Sequence, residues 1–290
     1  MRESVQEAVE ATLKSPIVGS RVLSGGDINE AFAATLQDGR EVFIKSNPRA
    51  PSTLFPTEGK GLGWLADSAA LRTPEVLGVS STDAHPESSF LALELLTPAP
   101  RPPDFAHRLG EGLARLHQAH PATFGLDHAN FIGSLPQSNT PHDTWADFFR
   151  GERLLPQVAL ARKSGHFNAS DVQLAERLAA KLDSLVGPAE PPARLHGDLW
   201  GGNLFVDEQG APCLIDPAVY GGHREMDLAM MRLFGGFGPQ VFDAYDAVYP
   251  LAPGAAERVP LYQLYPTLVH VNLFGGGYVA AARRILQRYL

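Results

Sequence analysis

The pattern of hydrophobic and polar positions divides the chain into a first part dominated by strand-like runs and a second part dominated by helical spacing. In the first part, Asp38-Gly39 joins two strand-like runs and is a strong signal for a β-hairpin. The elements predicted before residue 97 are a helix over 3–14, strands over 31–37, 41–46, 73–80 and 90–96, and a helix over 58–70. We therefore expect a sheet accompanied by helices in this part.

A proline-rich segment, TPAPRPP at residues 97–103, separates the two parts. Because prolines interrupt regular structure, this segment is predicted to link an N-terminal lobe (1–96) to a C-terminal lobe (104–290). The predicted helices beyond the linker comprise an amphipathic one starting near Phe105 and others at about 143–163, 171–186, 225–233, 239–248 and 259–289. The expected fold class is α+β, with a small β-rich N-lobe and a larger, mainly helical C-lobe.

Composition and charge exclude several classes of protein. The 290 residues are 44% hydrophobic and 19% charged, enough to build a sizeable core. A formal net charge of −8 argues against a nucleic-acid-binding protein, because a phosphate backbone attracts cationic surfaces. The chain contains no run of about 18 apolar residues that would span a membrane. A single cysteine and an N-terminus without an apolar signal segment lead us to expect a cytoplasmic protein.

The strongest chemical signal lies in residues 193–222, where short strand-like runs alternate with loops. Asp198, Asn203 and Asp216 each lie just beyond or between such runs, so their oxygen atoms are expected to converge. This arrangement suits phosphoryl transfer from a magnesium nucleotide, in which the protein contributes mainly positioning and charge neutralisation. Asp198 is predicted to accept the proton of the acceptor hydroxyl. Asn203 and Asp216 are predicted to hold Mg²⁺.

The first part of the chain supplies the other groups that a site for ATP needs. Lys45, at the end of a predicted strand, is the candidate cation for the α and β phosphates, and Glu58 on the next helix is its candidate anchor. Gly25-Gly26 precedes the hairpin and occupies the place of a phosphate-covering loop. Each feature alone is common in loops or on surfaces. In this order they predict a bilobal kinase whose active site lies between the two lobes.

Several residues near the predicted site allow two interpretations. Trp200 could stack against a sugar ring, or it could support the catalytic loop from behind. His270 and Asn272 could contact substrate, or they could satisfy loop backbone groups. His196 is expected to organise the catalytic loop, and Asp227 is expected to hydrogen-bond the backbone of that loop.

Longer blocks of sequence resemble the fructosamine kinase, or ketosamine-3-kinase, family. The resemblance extends from about residue 18 to 279 and is carried by HGDLWGGN, DPAVYGGHREMDLAM, LFGGF, HVNLFGGGY, NFIGSLPQSN and TWADFFRGERLLPQ. It implies an ATP- and Mg²⁺-dependent kinase that phosphorylates the 3-hydroxyl of ketosamines, the rearranged adducts of sugars with amines. The resulting 3-phosphate is unstable and releases the free amine, which implies deglycation of small ketosamines or of glycated protein lysines.

The resemblance also assigns roles to individual residues. It implies the kinase roles described above for Lys45, Glu58, Asp198, Asn203 and Asp216. It further implies that the backbone of the segment containing Glu94 and Leu96 binds adenine. Two alternatives stay open: a kinase of another small hydroxyl compound, such as an aminoglycoside, choline or a sugar, and a pseudokinase that binds nucleotide without catalysis. The sequence leaves the oligomeric state open.

Overall fold

The computed structural model of the protein describes residues 1–23 and 29–289. These residues form two compact units: Met1–Phe105 with Asn203–Ala218, and Ala106–Gly202 with Val219–Leu290. The chain thus returns to the N-terminal unit for residues 203–218. A division at the proline-rich segment alone assigns these residues to the C-terminal lobe. The predicted loop glycines Gly25 and Gly26 lie outside the described residues.

Up to residue 105, the elements of the described chain are α1 (Glu3–Leu13), β1 (Ile17–Leu23), β2 (Glu30–Leu36), β3 (Glu41–Ser46), α2 (Leu54–Ala66), β4 (Val76–Val79) and β5 (Phe90–Glu94). The strands form a five-stranded antiparallel sheet in the order β1-β2-β3-β5-β4. Val5 and Val9 of α1 belong to one buried core with Phe32, Ile44 and Phe90 of the sheet. Burial of one apolar face of α1 against the sheet therefore stabilises this unit.

Two elements in this part differ from expectation. The β1 strand was not predicted, because it is an edge strand whose Val18 and Val22 are exposed, so hydrophobic alternation is missing. The α2 helix begins at Leu54 instead of residue 58, because Leu54 and Phe55 are buried and Pro56 is tolerated in a first helical turn. The earlier start places Glu58 in the second turn of the helix.

Beyond residue 105, the described chain is mainly helical, with short antiparallel strand pairs. The elements are α3 (Phe105–Gln118), β6 (Asn130–Ile132), β7 (Leu135–Gln137), α4 (Trp145–Phe148), a π-helical segment (Phe149–Leu154), α5 (Leu155–Lys163), α6 (Ala169–Ala179), α7 (Leu182–Leu185), β8 (Ala193–Leu195), β9 (Leu204–Val206), β10 (Pro212–Leu214), β11 (Tyr220–Gly222), α8 (Glu225–Phe234), α9 (Pro239–Val248), α10 (Ala255–Phe274) and α11 (Gly277–Arg288). No helix of the described residues is both long and apolar enough to cross a bilayer.

The single helix predicted over 259–289 is two helices, α10 and α11. Gly275 and Gly276 separate them with φ angles of 64° and 58°, a backbone conformation that ends an α-helix and that glycine adopts readily. The β6–β7 pair was not predicted, because its strands have only three residues each. The loop predicted around residue 221 instead contains β11, which pairs with β8.

Candidate active site

Lys45 forms the centre of an ion-pair network in the N-terminal unit. Its Nζ lies 2.8 Å from Glu58 Oε1 and 2.9 Å from Asp216 Oδ1. The lysine side chain is only 8% exposed, and that of Glu58 is 12% exposed. Burial alone would lower the pKa of Lys45, but the two carboxylates raise it above its ordinary value. Lys45 is therefore a fixed cation held by Glu58 of α2, and its role toward phosphates stays a prediction.

The β9–β10 hairpin brings Asn203 and Asp216 together at its open end. Leu204 pairs with Leu214 in the hairpin, and Ile215 N donates to Asn203 O at 3.1 Å. The Asn203 amide nitrogen donates to the backbone carbonyl of Asp216 at 3.4 Å. Asn203 is buried, whereas the Asp216 side chain is 45% exposed. Each residue is placed by local hairpin geometry.

The backbone of Asp216 is left-handed, with a φ of 54°. This conformation costs about 1–2 kcal/mol for a residue other than glycine. Aspartate tolerates it better than most residues, and here the carboxylate accepts the hydrogen bond from Lys45. Backbone strain at a residue with a half-exposed carboxylate is typical of functional sites.

The donor set at this end of the hairpin suits Mg²⁺. An amide and a carboxylate supply oxygen ligands, which Mg²⁺ prefers. Within residues 1–23 and 29–289, no group of three or more His, Cys, Asp or Glu side chains forms a metal site. Two protein ligands completed by nucleotide phosphates and water are the usual arrangement for Mg²⁺ in kinases. Asn203 and Asp216 therefore fit a metal that arrives with its nucleotide.

Arg72 connects the other end of the hairpin to β5. Its guanidinium lies 2.8 Å from Glu94 Oε2 and 2.9 Å from the fully buried Asp207, and its carbonyl accepts Leu214 N at 2.8 Å. The Glu94 carboxylate also accepts Glu75 N at 2.8 Å. The side chain of Glu94 is thus occupied by protein contacts, which leaves the adenine contact predicted here to the backbone.

In the C-terminal unit, a buried carboxylate holds the loop that carries Asp198. Asp227 of α8 is 1% exposed and accepts His196 N at 2.8 Å and Gly197 N at 2.9 Å. It also accepts a hydrogen bond from His117 Nε2 at 3.3 Å, and His117 Nδ1 lies 2.8 Å from Tyr245 Oη. Asp227 thus hydrogen-bonds two backbone groups of the loop that leads to Asp198.

The pKa of Asp227 reflects competition between burial and these donors. Burial would raise it, but the hydrogen bond and charge of His117, with the Gly197 N–H, bring it below its ordinary value. Next in the loop, the N–H of Asp198 donates to the buried ring of His196 at 3.2 Å. His196 therefore hydrogen-bonds the backbone of the residue predicted to be the base.

A pocket of the C-terminal unit opens beside Asp198. It is a narrow cleft with a cavity volume of about 20 Å³, and it is partly open to solvent. Its walls are Ile132, Gly197, Asp198, Tyr220, Met226, Asp227, Met230, Tyr265, Pro266, Val269 and His270. A few polar groups converge on an otherwise apolar wall, which is typical of small-molecule sites. Asp198 is half-buried here, within reach of a small ligand.

The three predicted substrate contacts occupy different surroundings. The Trp200 side chain is 42% exposed and lies over Gly202, where an added Cβ would come within 2.2 Å of the indole ring. His270 lines the pocket beside Asp198. Asn272 instead donates to the carbonyl of Gln157 at 3.0 Å, so its amide links α10 to α5. The amide of Asn272 therefore satisfies a backbone group of a neighbouring helix.

Comparison with known proteins decides the family. A sequence profile described as fructosamine kinase matches residues 1–290. The chain belongs to the fructosamine kinase family. A "probable ketoamine kinase" of Synechocystis is 39% identical over 294 residues, covering 99% of this chain and 96% of that protein. The crystal structure of a "putative fructosamine-3-kinase" from Thermobifida fusca has a TM-score of 0.87 at 38% identity, covering 99% of this chain and 100% of that one.

A more distant structure extends the likeness to other kinases. A choline kinase from Streptococcus pneumoniae has a TM-score of 0.66 at 15% identity over 98% of both chains, which shows a shared fold alone. The predicted α+β, protein-kinase-like fold and the predicted family are both confirmed. As a member of the fructosamine kinase family, the protein is a kinase.

Two of the family-like blocks acquire a physical role in the structure. Arg153, from TWADFFRGERLLPQ, is completely buried, and its guanidinium lies 3.9 Å from the ring centre of Tyr220 in the pocket wall. It also donates to the side chain of Asn139, from NFIGSLPQSN, at 2.7 Å. Both blocks therefore support the wall of the pocket from behind. Burial raises the pKa of Tyr220 to about 12, so its hydroxyl stays protonated.

Sequence reasoning missed Arg72, His117, Tyr220 and Tyr265. Arg72 and His117 act on predicted site residues across 22 and 110 positions of sequence. No local pattern marks such partners. Tyr220 lies inside a family-like block, and that was the signal that could have drawn attention to it.

Proposed function

We propose that the protein is an ATP- and Mg²⁺-dependent ketosamine kinase of the cytoplasm. It would phosphorylate the 3-hydroxyl of ketosamines, free or attached to protein lysines, and so initiate deglycation. The observation that carries the proposal is the Lys45–Asp216 ion pair next to Asn203, which has the donor types for a magnesium nucleotide. The family membership of the whole chain supports the choice of ketosamines.

The nucleotide would be held by residues of the N-terminal unit. Lys45, fixed by Glu58, would bind the α and β phosphates, and the backbone near Glu94 and Leu96 would bind adenine. Asn203 and Asp216 would hold Mg²⁺, which neutralises charge on the transferred phosphate when bound. Because Lys45 already has both carboxylate partners, little reorganisation of this cation is required.

The acceptor would be handled by the C-terminal unit. The Asp198 carboxylate would take the proton of the 3-hydroxyl as that oxygen bonds to the γ-phosphorus, and the bond to the β–γ bridging oxygen would break to release ADP. Asp227 would hold the loop so that the carboxylate keeps its direction. The ketosamine 3-phosphate would then decompose and release the amine.

Consumption of ATP by purified protein tests the proposal. The acceptors are ribulose- and fructose-derived lysine adducts, compared with choline, aminoglycosides and simple sugars. We expect turnover with the ketosamines, followed by release of free amine. Turnover only with another hydroxyl compound would make the substrate assignment wrong. Nucleotide binding without turnover of any acceptor would instead favour the pseudokinase alternative.

An Asp198→Asn variant tests the role of the base. It should abolish turnover and preserve nucleotide binding, because Asn cannot accept the proton. Asp243→Asn is the matched control, since Asp243 is exposed on α9 of the same unit. Loss of nucleotide binding together with turnover would point to a folding role for Asp198.

A further inference from the structure

Aromatic rings form a continuous group that starts at Trp200, two residues beyond Asp198. Their ring centres are 6.5 Å apart for Trp200–Phe234, 4.6 Å for Phe234–His270, 5.5 Å for His270–Phe274 and 4.9 Å for His270–Tyr278. We call Trp200, Phe234, His270, Phe274 and Tyr278 the aromatic cluster. All five residues belong to the C-terminal unit.

The aromatic cluster is built on tight glycine turns. Gly235 and Gly236, directly after Phe234, have φ angles of 73° and 92°. Gly275 and Gly276, directly after Phe274, also have positive φ angles. A side chain at any of these positions would be strained, so the turns fix where the flanking rings lie. The turns thus set the backbone positions from which Phe234 and Phe274 project.

Parts of the aromatic cluster face solvent. The side chain of Phe274 is 62% exposed and that of Trp200 is 42% exposed. The two exposed rings are connected through Phe234 and His270, and exposed apolar surface of this kind is a feature of binding sites. His270 belongs to both the aromatic cluster and the pocket beside Asp198, so the two are continuous.

His270 adds a hydrogen-bond acceptor among the rings. Its Nδ1 lies 2.8 Å from the carbonyl of Pro266 and must donate there, since a carbonyl can only accept. Burial lowers the pKa of the ring below its ordinary value, although the Pro266 carbonyl opposes this. At neutral pH, Nε2 is therefore the acceptor of an uncharged ring that does not repel a cation.

We propose that the aromatic cluster binds the secondary ammonium group of the ketosamine and thereby distinguishes ketosamines from sugars that lack the amine. This inference rests on the proposed function. In a ketosamine the amine is on C1, and the 3-hydroxyl is two carbons further along. A hydroxyl placed at Asp198 in the pocket therefore leaves the ammonium close to its wall, which His270 shares with the aromatic cluster.

Two interactions would recognise this ammonium. Aromatic faces attract a cation within about 6 Å of the ring centre. The Nε2 of His270 can accept an N–H of the same group. An uncharged analogue with an ether oxygen in place of the amine gains neither interaction, so the enzyme should prefer the amine by about tenfold in kcat/KM.

The test compares the amine and ether substrates at saturating MgATP, with wild-type protein and with Phe234→Leu and Phe274→Leu. Leucine keeps apolar bulk and removes the aromatic face. We expect each variant to reduce the preference for the amine about threefold or more, through a higher KM for the amine substrate. The exposed position of Phe274 makes its variant the safer one for folding.

Phe242→Leu is the matched control. Phe242 lies in the same unit and contacts the guanidinium of Arg232 at 3.8 Å, but it is not part of the aromatic cluster or the pocket wall. Its variant should keep the wild-type preference for the amine. Equal losses for amine and ether substrates in the cluster variants would overturn the inference.

The outcomes separate this inference from the proposed function. Equal turnover of amine and ether substrates by the wild-type protein would leave the ketosamine kinase in place and reject recognition of the ammonium. Turnover of neither substrate would overturn both. A preference for the amine that decreases only in Phe234→Leu and Phe274→Leu would establish the aromatic cluster as the determinant of specificity.

Discussion

Replacement of Asp227 with Asn tests how the loop of Asp198 is held. The carboxylate accepts His196 N and His117 Nε2 on Oδ2 and Gly197 N on Oδ1. An asparagine can keep its oxygen on only one side. If the oxygen replaces Oδ2, the new NH₂ group faces Gly197 N–H, and that partly buried donor loses its partner.

The size of the effect follows from this count. An unsatisfied buried donor costs about 1–3 kcal/mol, and each remaining bond weakens by about 1 kcal/mol when the acceptor loses its charge. With two bonds remaining, the expected loss of unfolding free energy is about 3–5 kcal/mol, nearer the lower value because Gly197 is only partly buried. This is a large share of the stability of an ordinary domain. Movement of Gly197 should also displace Asp198 and lower kcat by about 100-fold.

Urea unfolding and steady-state kinetics measure the two effects together. The KM for MgATP should stay near the wild-type value, because Lys45 and Glu58 lie in the other unit. Asp243→Asn again serves as the exposed control and should change neither quantity. A loss of stability below 1 kcal/mol with unchanged kcat would refute the view that Asp227 holds this loop.

The pH dependence of the same pair of proteins gives a second check. The pKa of Asp227 is lower in the folded protein than in the unfolded chain, where the pKa of an Asp is about 3.9. The ionised carboxylate therefore stabilises the fold above that pH, and the contribution is lost as the pH falls through the folded-state value. We expect the stability difference between wild type and Asp227→Asn to narrow below about pH 4.

Three further predictions concern the N-terminal unit. Arg72→Met should lower the free energy of unfolding by about 1–2 kcal/mol, because buried Asp207 loses its cation. It should also raise the KM for MgATP and leave the KM for the acceptor unchanged. A changed KM for the acceptor would contradict this prediction. Cys213 is buried with its pKa raised by burial to about 12, so a thiol reagent at pH 8 should label it only after unfolding. Lys45→Met should reduce the rate of single-turnover phosphoryl transfer by about 100-fold or more, because the phosphates lose their cation and Glu58 loses its partner. A rate near that of the wild type would exclude the role given to Lys45.

Local chemistry explains which parts of the fold could be predicted. The hairpin at Asp38-Gly39 was predicted because its turn depends on two adjacent residues, and Gly39 indeed has a φ of 88°. The strand predicted over 41–46 is Glu41–Ser46. By contrast, the helix predicted over 259–289 conceals a break, since helical periodicity continues on both sides of Gly275.

In the candidate site, too, features that depend on neighbouring residues could be predicted, whereas contacts between residues far apart in the sequence could not. The types and order of Lys45 and Glu58 led to the prediction that Glu58 anchors the lysine, and the two side chains lie 2.8 Å apart. The contact between Lys45 and Asp216 was not predicted. The residues that hold these groups in place, such as Arg72, could not be predicted from the sequence. Arg72 reaches Asp207 across 135 positions, and a half-buried arginine leaves no periodic trace in the sequence.

The block HGDLWGGN shows what a short motif contributes beyond its reactive residues. The chain passes from the C-terminal unit to the N-terminal unit between Gly202 and Asn203, so the motif supplies both units within a few residues. Two glycines of the motif are required because a larger side chain would not fit. Gly202 leaves space for the ring of Trp200, and a Cβ at Gly201 would come within 3.3 Å of the backbone of Gly236. Gly236 belongs to LFGGF, so the two motifs pack against each other through glycines. This packing places Trp200 beside the turn that follows Phe234.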